Sequence, residues 1–260
     1  MVLIKLGASI QIVKLCTAFI FILRPILQNI YIKKIYSIDL KKIDNSYQIK
    51  QKWDGLAQHI AYIIYKNTDV VLLTLFTDIK EVSVYSVYML VINGVKNLLL
   101  SFNNGVNDTF GNMLAKGDYK ELKRSFKKYY IMFTIISICA FIITAILIIP
   151  FIKLYMHGIE DANYIRPTFA YIMIAAELIC VIRQPFANLV KVAGHFKQTQ
   201  IGAWIEAISN IIISFALVWK LGIIGVAIGT LIAILIRMID LVKHVLKYIL
   251  KQPQIDNYVN

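Results

Sequence analysis

Acidic side chains are scarce in this chain: 15 Asp and Glu stand against 28 Lys and Arg in 260 residues, and charged residues of both signs make up only 17%. So few charges cannot solvate the outside of a protein that is 58% hydrophobic with a mean hydropathy of +0.66. That excludes a large water-soluble core and points to a bilayer. Cysteine is also sparse. Cys16, Cys139 and Cys180 are isolated in apolar stretches, which excludes a disulfide framework, a zinc finger and a CxxC redox pair, and they read as small packing residues. His59, His157, His195 and His244 are equally scattered, and there is no HExxH, glycine-rich phosphate loop or nucleophile elbow. No catalytic residue, metal-ligand set or bound cofactor is therefore expected, and the chain does not read as an enzyme. Alternating ten-residue strands are missing too, which excludes a transmembrane barrel.

What is present is a series of apolar runs, each long enough to cross about 30 Å of hydrocarbon. They are Leu6 to Leu23, Leu56 to Phe76, Val84 to Phe102, Tyr130 to Ile149, Thr168 to Val192, Ile201 to Trp219, and Ile223 to Leu241. The expected fold class is all-α: a polytopic membrane helix bundle of about seven transmembrane helices, the first two the most polar. Tyr and Trp at the run margins, among them Trp53, Tyr129, Tyr130, Tyr164, Trp219 and Tyr248, fit interfacial aromatic belts.

The formal charge of +13 suggests nucleic acid, but its distribution argues against that partner. Arg24, Lys33, Lys34, Lys41, Lys42, Lys50 and Lys52 fall between the first two runs, and Lys116, Lys120, Lys123, Arg124, Lys127 and Lys128 between the third and fourth. Lys191 and Lys197 follow the fifth, and Arg237, Lys243, Lys247 and Lys251 close the chain. Alternating crossings put all of these on one face, while Lys5, Lys80, Lys153, Arg166 and Lys220 fall on the other. The positive-inside rule makes the basic face cytoplasmic, with the C-terminus on it. Seven crossings then start outside, as expected if an odd number of preceding helices is missing; a re-entrant first run, leaving six spans, is the other solution. Met113 to Lys128 reads as an amphipathic surface helix, with Leu114, Leu122 and Phe126 facing headgroups and its cations reaching anionic membrane lipids.

Polar side chains inside the runs mark the candidate site. Asp69 lies in the middle of Tyr62 to Ile79, where a carboxylate costs several kcal/mol on insertion scales (roughly +2.5 to +3.5) and is turned toward protein or a water-filled cavity. Lys66, Asn67 and Thr68 adjoin it. Asn93, Lys96 and Asn97 share one helix face by their three- and four-residue spacing, as do Glu206 and Asn210. Lys14, Glu177 and Arg183 complete the set. Arg183 and Glu206 can alternatively snorkel to the membrane edge. Pro185 predicts a kink beside Arg183, and Gly225 with Gly229 a small-residue face for close helix packing.

Four stretches carry a more specific likeness. They are KNTDVVLLTLFTDIKEVSVYSVYMLV (66–91), GVNDTFGNMLAKGDYKELKRSF (105–126), FIKLYMHGIEDANY (151–164) and the segment from RQPFANLVKVAGHF (183–196) onward to 238. Together they resemble Wzx-like polysaccharide flippases of the multidrug, oligosaccharidyl-lipid and polysaccharide exporter superfamily. The resemblance implies two six-helix lobes that move undecaprenyl-pyrophosphate-linked oligosaccharides across the bacterial cytoplasmic membrane for surface polysaccharide such as capsule or lipopolysaccharide. On that register 1–24 is the last helix of an incomplete first lobe, 25–54 the basic cytoplasmic inter-lobe linker, 55–250 the second lobe and 251–260 a short tail. Partners implied are the lipid-linked oligosaccharide, a separately encoded first lobe and polysaccharide-assembly proteins. Within the resemblance, Lys66, Lys96 and Arg183 are candidate diphosphate counter-charges and Asn67, Asn93 and Asn210 candidate sugar contacts. Asp69 and Glu206 are candidates for coupling to a sodium or proton gradient or for cavity salt bridges. A multidrug or other lipid-linked-precursor exporter of the same superfamily, or a noncatalytic membrane partner in polysaccharide assembly, is the alternative.

Overall fold

The computed structural model describes residues 9–35, 51–159 and 161–251, and the chain divides into two compact units, 1–50 and 51–260. The described part of the first unit is one helix, α1 (Ile10–Ile35). It runs through Pro25 and carries Lys33 and Lys34 in its last turn, so helix extends past Arg24 into the stretch expected to be linker. A proline removes one backbone hydrogen bond, and the Leu, Gln and Ile residues around it keep the remaining turns helical. Leu6 to Ala8 of the first run, residues 36–50 with Lys41, Lys42 and Lys50, and the tail from 252 onward lie outside the described residues.

The second unit contains α2 (Lys52–Phe76), α3 (Ile79–Asn104), α4 (Asn107–Ala115), α5 (Tyr119–Tyr155), α6 (Pro167–Val192), α7 (Phe196–Leu221) and α8 (Ile223–His244), which runs into a π-helical turn at Val245–Ile249. Among the described residues there is no strand. The helix starts are chemically marked. Asp78 accepts from the Lys80 amide ahead of α3, Asp118 from the Glu121 amide ahead of α5, and α6 opens on Pro167, each satisfying or removing an orphan donor. Gly222, at φ 54°, reverses the chain between α7 and α8 in one residue.

Six of these helical stretches, α1, α3 with α4, α5, α6, α7 and α8 with its π-turn, are long and apolar enough to span a membrane. The seventh expected span, α2, has the length at 25 residues but carries Asp54, Lys66, Asn67 and Asp69. The outside of the unit is apolar where lipid would be: Ile135, Ile142, Ile146, Ile205, Ile212 and Trp219 are all exposed.

Three apolar clusters hold the unit together. The largest joins α2, α3, α5, α6 and α8 around Tyr88, Phe141, Phe169 and Met173. A second packs Phe110, Leu122, Phe126, Phe186 and Leu241 at the basic end. This corrects the surface-helix expectation. Leu122 and Phe126 are buried against Phe110 and Phe186, because the first turns of α5 continue straight into its membrane span. The third cluster uses small side chains, Ala61, Ala176, Ala203, Ala207 and Cys180, to bring α2, α6, α7 and α8 close at mid-height. Cys16 and Cys139, by contrast, are exposed rather than buried in the core.

The closest pair is α7 with α8, and glycine makes it possible. A β-carbon on Gly225 would lie 2.5 Å from the Leu217 carbonyl oxygen, and one on Gly229 2.8 Å from the Ser214 amide nitrogen. The small-residue face expected on α8 is the face that meets α7.

Candidate functional site

The polar residues of the spans gather into three clusters. The first is built on Asp69, 4% exposed, at the centre of the α2, α3, α7 and α8 contact. Thr230 Oγ1 on α8 lies 2.8 and 2.9 Å from its two carboxylate oxygens, the Tyr85 hydroxyl on α3 donates at 3.0 Å, and Asn210 Nδ2 on α7 at 3.3 Å. A second layer aims the first: Ser214 donates to Asn210 Oδ1 at 2.9 Å, leaving the amide nitrogen turned toward Asp69. Thr68 plays no part, since it bonds back to the Ile64 carbonyl. Among the described residues Asp69 makes no ion pair. Its charge is held by neutral dipoles alone.

The second cluster surrounds Glu206 on α7. Arg183 Nη1 of α6 lies 2.7 Å from Oε1, and Arg237 Nε of α8 lies 3.8 Å from Oε2. Arg237 Nη1 also donates to Asp240 Oδ2 at 2.6 Å and to the Thr199 carbonyl at 2.9 Å. A β-carbon on Gly202 would fall onto the Arg237–Asp240 pair, so that glycine supplies the space in which the pair rests on α7. Arg183 and Glu206 are buried and paired with each other; neither snorkels. Arg237, counted among the loop cations on sequence, is 6% exposed and is drawn inward by the two carboxylates.

The third cluster is a single ion pair, Lys96 Nζ on α3 to Glu177 Oε2 on α6 at 2.6 Å. Of the remaining candidates, Asn93 is half-buried on α3, while Lys66 and Asn67 are exposed on α2. Asn67 Nδ2 donates to the Ile63 carbonyl of its own helix at 2.7 Å. The structure thus brings Asp69 together with Asn210, Arg183 with Glu206, and Lys96 with Glu177. It leaves Lys66, Asn67 and Asn93 outside all three clusters. Tyr85, Thr230, Arg237 and Asp240 complete the clusters and were not singled out on sequence.

At the basic end the α6–α7 turn is tied to its surroundings by side chains. Gln51 Oε1 accepts from the Phe196 and Lys197 amides at 3.1 and 3.4 Å, capping α7 from outside. His195 Nδ1 lies 3.0 Å from His244 Nε2 at the end of α8, and burial pushes the His195 imidazole below its ordinary value of 6.5. Among the described residues no three His, Cys, Asp or Glu side chains converge as metal ligands. A cavity of about 480 Å³ at the α5–α6 loop, lined by Ile152, Met156 and Tyr164 among others, shares no residue with the charge clusters.

The family described as MatE matches residues 56–216, which takes in α2 through most of α7. No curated protein matches the chain. Three solved structures share its fold at 12% sequence identity. A crystal structure of a MATE mutant has a TM-score of 0.60 over 74% of this chain and 43% of its own. A MOP superfamily transporter from Pyrococcus furiosus, described as having a binding pocket of reverse polarity, has 0.60 over 76% and 44%. An outward-facing multidrug resistance MATE family transporter of the MOP superfamily has 0.59 over 75% and 43%. The chain spans less than half the length of each.

Proposed function

The chain belongs to the MatE family, and from that premise we propose that it supplies one lobe of an alternating-access exporter in the bacterial cytoplasmic membrane. Its proposed cargo is an undecaprenyl-pyrophosphate-linked oligosaccharide, with α2 to α8 as the second lobe, α1 as the last helix of the first, and the basic connectors on the cytoplasmic side. The observation that carries the cargo assignment is the pair of buried guanidinium groups, Arg183 and Arg237, that share Glu206. Planar forks of this kind match the oxygens of a diphosphate. A headgroup entering between the lobes exchanges with Glu206 for Arg183, with Lys96 behind its own carboxylate partner. Lys66 on the exposed face of α2 adds a counter-charge for the diphosphate, while Asn67 on the same face and the half-buried Asn93 meet the sugar. Asn210 is committed to Asp69, so it positions rather than binds.

Asp69 is the proposed coupling group. Carboxylate and hydroxyl oxygens from Asp69, Thr230 and Tyr85 suit a hard cation such as sodium. A proton serves equally: on Asp69 it would turn an acceptor into a donor and force Tyr85 or Thr230 to reorient. Either ion is a transported substrate, moving inward as the cargo moves outward.

Multidrug export is the second reading, favoured by the carboxylate partner that each cation of the three clusters has among the described residues: Lys96 with Glu177, Arg183 with Glu206, Arg237 with Asp240. Such a site has no net positive charge. The experiment that separates the two is transport by the complete two-lobe protein in vesicles, offered lipid-linked oligosaccharide or a cationic drug. Flipping of the oligosaccharide that falls sharply in Arg183→Gln supports the first reading; drug efflux without oligosaccharide flipping overturns it.

A further inference from the structure

At 37 residues and 1.5 Å per residue, α5 is about 55 Å long, far more than the roughly 30 Å of hydrocarbon it crosses. The excess stands at its N-terminal end, before Tyr129 and Tyr130. There the helix divides cleanly by face. Leu122, Phe126, Phe133 and Phe141 point inward and are buried. On the opposite side Lys120, Lys123, Arg124 and Lys127, spaced i, i+3, i+4 and i+7, are exposed, and among the described residues none of the four is in an ion pair. The same stripe then changes character. Ile131, Ile135, Ile138 and Ile142, at i+11, i+15, i+18 and i+22, are exposed by 48, 57, 37 and 54%.

One uninterrupted face therefore reads cationic for its first turns and apolar for the next several, at the depths where a lipid is first charged and then hydrocarbon. We propose that this face of α5 is a docking surface for an anionic phospholipid of the basic-side leaflet. Lys120, Lys123, Arg124 and Lys127 hold the phosphate, and the acyl chains lie along Ile131 to Ile142. An acidic soluble protein would complement only the first half of the stripe, and a zwitterionic lipid only the second. Both halves are met by one molecule that joins a net negative headgroup to long acyl chains.

The test uses the full 260-residue chain in mild detergent, titrated with phosphatidylglycerol or with phosphatidylcholine of the same acyl chains and read by native mass spectrometry. Phosphatidylglycerol binds the tighter of the two, and its affinity falls as salt rises. Lys120→Gln, Lys123→Gln and Lys127→Gln combined lower that affinity about a hundredfold, since each surface cation adds ~1 kcal/mol and 1.4 kcal/mol is tenfold. The corresponding triple Arg variant retains the affinity, and Lys153→Gln with Lys220→Gln, at the other end of the helices, leaves it unchanged. Equal binding of the two lipids, salt-independent binding by the unaltered chain, or a triple Gln variant that binds normally overturns the proposal. So does preferential binding of a polyprenyl diphosphate with no retention of phosphatidylglycerol.

Discussion

Asp69 and Glu206 are both buried carboxylates at the seam where α7 meets its neighbours, yet they keep different company. Glu206 is held by two guanidinium groups, while Asp69 is held by a hydroxyl from Thr230, a phenol from Tyr85 and an amide from Asn210. A carboxylate paired with cations is neutralised within the protein and is costly to disturb. One surrounded by neutral donors keeps its charge available to a mobile ion. Under the proposed function the first region serves headgroup binding and architecture, and the second exchange with solution.

The sharpest way to break that contrast is to remove Glu206. Glu206→Gln leaves Arg183 and Arg237 buried around an uncharged amide, and unpairing a buried ion pair costs about 3–5 kcal/mol. The expected outcome is a large drop in thermal denaturation temperature, recovered in part by adding Arg183→Gln. A drop that adds without any recovery would mean that the two side chains are not coupled.

A smaller loss is expected at the helix seam both regions share. Gly229→Ala forces a methyl group onto Ser214, and overpacking of this kind costs about 1–3 kcal/mol. Thermal melts in detergent should show it, with Gly94→Ala, where a β-carbon meets open space, as the silent comparison.

Asp69→Asn should lower stability less than Glu206→Gln, because it removes a charge without stranding another. Its main effect is expected on coupling. In the complete transporter, flipping driven by a sodium or proton gradient should fall to the undriven rate while protein level in the membrane holds. Gradient-dependent flipping at the unaltered rate would remove Asp69 from that role. Thr230→Val, losing one donor to the carboxylate, should cost about 1–3 kcal/mol and shift the ion dependence in the same direction.

The weakest effect belongs to pH at the basic end. The His195 imidazole sits below its ordinary value of 6.5 because burial disfavours its charged form. As pH falls below 6.5 the unfolded chain takes up this proton and the folded one resists, so stability declines with acidification until the folded value is passed. His195→Gln should flatten that part of the curve, measured as denaturation temperature against pH. Orientation is a separate matter of labelling. Lys116→Cys should react with an impermeant maleimide only after permeabilisation and His157→Cys in intact cells, with native cysteines replaced.

Charged and amide side chains in apolar surroundings are legible from sequence, which is why Asp69, Arg183, Glu206 and Asn210 could be named without a structure. Their partners were not. Tyr85 and Thr230 are unremarked in membrane helices, since a phenol or a hydroxyl is cheap to bury, and only three-dimensional register aims them at Asp69. Arg237 stands within two turns of the end of α8, where an arginine looks like an interfacial cation. It turns inward because Gly202 opens space on α7, a relation between residues on two helices that spacing along one cannot show. The pairing of Lys96 with Glu177 was hidden for the same reason: both were visible, but the offset between α3 and α6 was not. On α5, apolar periodicity marked one face and assigned it to the headgroups, whereas Leu122 and Phe126 meet protein because the helix runs on into its span.

The glycine contacts between α7 and α8 bear on how the lobe can move. With Gly225 against the Leu217 backbone and Gly229 against Ser214, the two helices pack too closely to admit even a methyl group at either contact. Packing this close favours movement of the two as one body, with Asn210 and Thr230 carried together at 3.3 Å. Asp69 rides on α2 instead. The displacements open to that site are those of α2, and of α3 through Tyr85, against the α7–α8 pair, and each of them changes the set of donors that meets the carboxylate.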